Sequence, residues 1–164
     1  NIPVAIAKHC DAARITAIDI SAAALAVAAE NAAANDVENR IRFERCDALS
    51  PNILALDGPF DLIVSNPPYI PRADEHELQI DIAKYEPRLA YTDNGDGLTF
   101  YRRIAEVLPS LLASDGRVLC EIGFGQREDI EAVFEGAGFV VTETIRDYSG
   151  VERVLAIGQG EGVV

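Results

Sequence analysis

Pro67 and Pro68 stand two residues behind an apolar run, Phe60-Asp61-Leu62-Ile63-Val64, and no other stretch limits the chain as much. The run reads as a buried strand. Each proline lacks a backbone donor and fixes its φ angle, so neither a ladder nor a helix continues through the pair. The residue before each proline is pushed out of the helical region. The strand therefore ends in a stiff turn, Ser65-Asn66-Pro67-Pro68-Tyr69, and Ile70-Pro71 keeps the exit non-helical. Such a turn presents carbonyls and one Asn side chain with few competing donors. The Asn66 side-chain oxygen and the Pro67 carbonyl can each accept one hydrogen of a planar amino group, and Tyr69 can cover its face. An amide or aromatic amine is a poor nucleophile, because its lone pair is delocalised. Two acceptors on its hydrogens aim the nitrogen at an electrophile and favour the charge that builds there. The same residues also fit a plain strand-exit turn, since Asn-Pro is a common turn dipeptide.

Around this turn the chain alternates strands and helices. Ile2 to Lys8 reads as a short helix with Pro3 in its first turn. Arg14 to Ile20 is a β-branched strand ending at Asp19, and Ser21 caps an alanine-rich helix over 22–34. Arg40 to Cys46 reads as a strand with Asp47 at its end, and Pro51 to Leu56 as a helical turn. Residues 71–97 are polar, irregular and broken by Pro71, Pro87, Gly95 and Gly97, the pattern of a functional lid or loop. Leu98 to Leu112 reads as an amphipathic helix bent or ended near Pro109. Arg117 to Ile122 is a strand after an Asp115-Gly116 turn, and Gln126 to Ala137 is a helix closed by Gly138. Phe139 to Ile145 and Arg153 to Ile157 pair antiparallel, and the tail from Gly158 frays. This order predicts an α/β sheet with helices on both faces.

Ligands of such sheets bind beyond the carboxyl ends of the strands. Asp19, Asp47 and Asn66 all fall there. Asp19 can accept both hydroxyls of a ribose, or it is an exposed carboxylate favoured near a helix start. Asp47 can accept from the exocyclic amine of adenine, with Ala48 beside the ring, or it is a turn residue before Pro51.

Composition narrows the function. A formal net charge of −13 argues against a duplex-binding surface. No apolar run approaches membrane-spanning length. Cys10, Cys46 and Cys120 are odd in number and far apart, so they read as buried thiols of a reducing compartment, the cytoplasm. His9 and His76 read as surface residues, and no metal site or Ser/His/Asp set is expected.

The stretch Phe60 to Pro71 resembles motif IV of the S-adenosylmethionine-dependent amino methyltransferases, and most closely the release-factor glutamine methyltransferases of the HemK/PrmC family. Glu86-Pro87-Arg88-Leu89-Ala90, Asp96 to Arg103 and Glu121-Ile122-Gly123 extend the likeness over nearly the whole chain. The resemblance implies a single catalytic domain over 1–164 with the Rossmann-like class I methyltransferase fold, a mostly parallel sheet and an antiparallel C-terminal hairpin. It implies S-adenosyl-L-methionine as cofactor, held by Asp19, Asp47, Ala48 and Asn66. Methyl transfer to a glutamine side-chain amide of a peptide chain release factor follows, with Asn66, Pro67, Pro68 and Tyr69 as catalytic and acceptor-binding residues and Glu86 lining the acceptor pocket. Glu121 to Gly123 is expected to pack the central sheet, and Arg102 and Arg103 to form a solvated helix face. The family's glycine-rich loop, its first strand and its N-terminal helical domain are absent from these residues, so a truncated catalytic domain is expected. An adenine-N6 methyltransferase and an inactive fragment are the alternatives. Neither a membrane nor nucleic acid is expected as a direct partner.

Overall fold

The computed structural model describes residues 1–78 and 80–160, and these form two compact units, Asn1–Ala55 and Leu56–Val164. In the first, helix α1 (Ile2–His9) carries Pro3 in its opening turn, where a missing N–H costs nothing. Strand β1 (Ile15–Asp19) pairs in parallel with β2 (Ile41–Arg45), Ile15 opposite Ile41 and Asp19 opposite Arg45. Parallel neighbours need a crossover, and α2 (Ala22–Ala34) supplies it. The Ser21 hydroxyl caps that helix, accepting from the Ala24 amide at 3.2 Å. Val4, Ala7, Ala32, Val37 and Ile41 are buried between the helices and the strand pair, with Ile15, Ala17 and Phe43 against them.

The second unit holds a four-stranded sheet. Its strands are β3 (Phe60–Ser65), β4 (Leu112–Glu121), β5 (Phe139–Arg146) and β6 (Glu152–Gln159), in spatial order β3-β4-β6-β5. β3 and β4 run parallel, with Ser65 opposite Cys120, while β6 is antiparallel to both β4 and β5. Helices α3 (Ile80–Tyr85) and α4 (Arg88–Tyr91) lie in the long segment after β3. Helix α5 (Thr99–Leu111) leads into β4, and α6 (Arg127–Gly136) follows it. Tyr101, Leu108, Val118, Cys120, Ile122, Ile130, Phe134, Leu155 and Ile157 make the core between helices and sheet. Among the described residues, β1 pairs only with β2 and β3 only with β4.

Several expectations change. Residues 71–97 are not structureless, since α3, α4 and a 3-10 turn over Arg72–Glu77 occupy much of them. Their short turns lack the sustained period that marks longer helices. α5 ends two residues past Pro109, whose ring is exposed and whose missing N–H leaves the Ala105 carbonyl without its usual helical partner. β4 starts five residues early, and the Asp115-Gly116 turn lies within it, where its register against β3 shifts between Phe60 and Leu62. Gly158 and Gln159 pair with Val140 and Phe139 rather than fraying, while the remainder of that tail, 161–164, lies outside the described residues. Of the thiols only Cys120 is buried; Cys10, at the end of α1, is exposed, and Cys46 is partly so. No helix of the described residues is long and apolar enough to cross a membrane.

Candidate active site

The turn after β3 is held from several sides. Parallel pairing to Cys120 carries the backbone as far as Ser65. Past the prolines, the Ile70 amide donates to the Tyr91 carbonyl at 2.9 Å and the Arg72 amide to the Gly95 carbonyl at 3.0 Å. The Tyr69 hydroxyl donates to Glu121 Oε1 at 3.3 Å, at the end of β4. The Tyr101 hydroxyl donates to the Glu121 carbonyl at 2.7 Å. Burial, reinforced by the Glu121 charge, pushes the Tyr69 phenol upward, and burial does the same to Tyr101, so both remain protonated donors.

Asn66, Pro67, Tyr69 and Ile70 line a cavity of about 350 Å³ together with Glu86, Ala90 and Tyr91. Asn66 is exposed, Pro67 buried and Tyr69 half-buried. Pro68 is not among the lining residues; it stiffens the turn from behind. Among the described residues no hydrogen bond reaches the Asn66 side-chain oxygen or the Pro67 carbonyl. Two residues that line the cavity thus each carry an acceptor without a partner among the described residues. Such a pair fits a group with two N–H bonds, and the volume is that of a small-molecule or side-chain pocket.

Glu86 sits on a segment tied down by an Arg88–Glu75 fork, with Nε and Nη2 donating at 2.7 and 2.6 Å. The Arg88 guanidinium holds the Glu75 carboxyl below its usual range. Asp93 organises the next loop. Its carboxylate accepts from the amides of Gly95, Gly97 and Thr99 at 2.8 to 3.1 Å. Burial opposes ionisation there, but those bonds prevail and the Asp93 pKa lies below its ordinary value. Arg102 forks onto Asp96, holding that carboxyl down at about 2. Arg102 is thus a surface residue as expected, whereas the Arg103 side chain is largely covered and pairs with Glu106.

In the first unit Asp19 closes β1 and Asp47 lies two residues past β2, both at carboxyl ends. Each is pinned by one oxygen. Asp19 Oδ1 accepts from the Ser21 amide at 2.7 Å, and Asp47 Oδ1 from the Leu49 amide at 2.9 Å. Among the described residues each leaves Oδ2 for another donor. Ala48 follows Asp47, half-buried. Two oriented carboxylates with a spare acceptor each fit a ribose diol and an exocyclic amine. This donor set fits the nucleoside of S-adenosylmethionine.

Residues 1–84 match the family model described as Methyltransferase small domain. The chain belongs to this methyltransferase family. Among curated relatives it is similar to the release factor glutamine methyltransferase of Chlorobaculum tepidum, 41% identical over 94% of the chain and 52% of the relative. The one from Bordetella pertussis is 42% identical over 93% of the chain and 55% of the relative. The chain thus spans about half the length of the curated relatives it matches. Among solved structures, a ribosomal protein L11 methylase from Lactobacillus delbrueckii subsp. bulgaricus superposes with a TM-score of 0.61 at 26% identity, covering 90% of this chain and 58% of that one. A Pyrococcus furiosus methyltransferase superposes with a TM-score of 0.63 at 19% identity, covering 90% of this chain and 64% of that one, which bears on the fold alone. The fold is the Rossmann-like class I methyltransferase fold.

Within this chain, the sequence assigns Glu121 to sheet packing. Ile122 beside it does pack, at 1% exposure, but the Glu121 carboxylate receives Tyr69. Tyr101 entered only as part of the stretch Asp96 to Arg103, and Asp93 carried no expectation. A Glu at the end of a strand opposite the turn was the available signal.

Proposed function

We propose that this methyltransferase transfers the methyl group of S-adenosylmethionine to the side-chain amide nitrogen of a glutamine in a peptide chain release factor. The observation that supports it most is that Asn66 and Pro67, whose acceptors have no partner among the described residues, line one cavity with Tyr69 and Glu86. The names of the curated relatives point to the same acceptor.

Bound S-adenosylmethionine supplies an electrophilic methyl on a sulfonium. Asp19 and Asp47 with Ala48 are the residues that would hold its ribose and adenine. Asn66 and the Pro67 carbonyl take the two hydrogens of the acceptor amide and orient its nitrogen. Positive charge that develops on that nitrogen would be met by both acceptors, which interact with it more strongly than with the neutral amide. A proton then leaves the nitrogen for water, so no strong base is required before attack. Tyr69, tied to Glu121, offers a wall to the amide plane, and Glu86 lines the same cavity. The action is soluble-phase chemistry on a protein, which we place in the cytoplasm.

The test is to incubate the protein carrying this chain with S-adenosylmethionine and a bacterial release factor, then map added methyl groups by peptide mass spectrometry. A methyl on a glutamine amide is the expected result. Transfer to adenine in a parallel nucleic-acid sample, with none to the release factor, would overturn the acceptor assignment.

A further inference from the structure

Gln126 stands just before α6, where the sequence suggested only a helix start. Its side chain does something more specific. Nε2 donates to the Tyr69 carbonyl at 2.9 Å, across 57 positions of sequence. Oε1 accepts from the Gly123 amide at 3.0 Å. The amide orientation is therefore unambiguous, because the reverse would set an NH₂ against the Gly123 N–H.

The peptide group between Tyr69 and Ile70 is consequently held at both polar ends. Gln126 grips its C=O, and the Tyr91 carbonyl grips its N–H at 2.9 Å. Two glycines make room for this. A Cβ on Gly97, whose φ is +82°, would collide with the Tyr69 carbonyl and come within 2.8 Å of Gln126 Nε2. A Cβ on Gly123 would collide with Gln126 Oε1 and come within 3.1 Å of the Tyr69 ring. Three segments thus converge on one carbonyl, two residues beyond the Pro67 acceptor. Gln126 is the side-chain member of that convergence.

We propose that Gln126 is a positioning residue for methyl transfer. By fixing the rotation of the Tyr69–Ile70 peptide, it sets the aim of the Asn66 and Pro67 acceptors. The proposal rests on the transfer reading above for its consequence in turnover, and on geometry alone for the lock.

The experiment compares wild type with Gln126→Met, which keeps length but loses both bonds, and Gln126→Glu, which keeps an acceptor for Gly123 but turns an anion toward the Tyr69 carbonyl. Turnover and amide hydrogen exchange are read on each folded protein. Misplacing reacting groups by a fraction of an ångström is expected to lower kcat by ~10-fold or more, with the acceptor KM shifted less than about threefold. Exchange at the Ile70 amide quickens in both variants, and at the Gly123 amide in Gln126→Met alone. A wild-type kcat in Gln126→Glu, or unchanged Ile70 exchange in both, overturns the proposal. If wild type methylates an acceptor other than glutamine, the glutamine reading fails while the variant-to-wild-type ratio on that acceptor still decides the role of Gln126. If no acceptor is methylated, Ile70 exchange decides the lock.

Discussion

Asn66 differs from its neighbours in the turn because its contribution is a side chain, removable without touching the backbone. Asn66→Ala deletes one of two acceptors in the cavity, and the loss of one such preorganised group lowers kcat by ~100-fold or more. On the proposed assignment of the nucleoside to Asp19 and Asp47, affinity for S-adenosylmethionine is expected to change little. Calorimetry and turnover on the same variant check the division, and equal loss in both would refute it. Tyr69→Phe keeps the ring but removes the bond to Glu121, and it is expected to cost about 1 kcal/mol of stability in denaturant titration. At this scale the sequence was legible where chemistry is local. Asn66 and Pro67 announce themselves because two prolines leave few alternatives. Gln126 and Glu121 do not, because each gains meaning only from a partner more than fifty positions away.

The elements were legible where a period is sustained. β1, α2, β3, α5 and α6 emerge from alternation, an alanine-rich run or a helical stripe. The short helices α3 and α4 escape because one or two turns carry no readable period, and their order comes from long-range ties such as the Arg88–Glu75 fork. The loop before α5 offers two tests. Asp93→Ala removes acceptors for three amides, including that of Thr99 at the start of α5, and is expected to cost about 1–2 kcal/mol. The folded pKa of Asp93 is depressed, so this contribution is full above the unfolded value near 3.8 and fades as pH falls through the lower folded value. The difference between Asp93→Ala and wild type should therefore shrink in acid, which denaturant titrations at successive pH values would show. Gly97→Ala combines a left-handed φ with a collision at the Tyr69 carbonyl. It is expected to destabilise by about 1–3 kcal/mol and to lower turnover as well. A variant that loses stability alone would mean that the turn does not depend on this loop.

Over the molecule as a whole, three weak acids sit in or against one core. Burial pushes the Cys120 thiol up to about 12, and Tyr101 and Tyr69 also rise. All three keep their protons in the folded chain at pH values where the unfolded chain loses them, so stability is full below pH ~9 and falls as pH climbs beyond it. One such group gives a slope of at most about 1.4 kcal/mol per pH unit. Cys120→Ala should flatten the early part of that decline, which thermal melts between pH 8 and 11 would reveal. The turn that serves this core has a last consequence. Pro67, Pro68 and Pro71 have surrendered their φ freedom, and the Tyr69–Ile70 peptide is gripped at both ends. Such a turn has little entropy left to lose when an amide arrives. Its docking should therefore vary weakly with temperature, and a steep thermal dependence of turnover would trace to the methyl transfer itself rather than to the ordering of a loop.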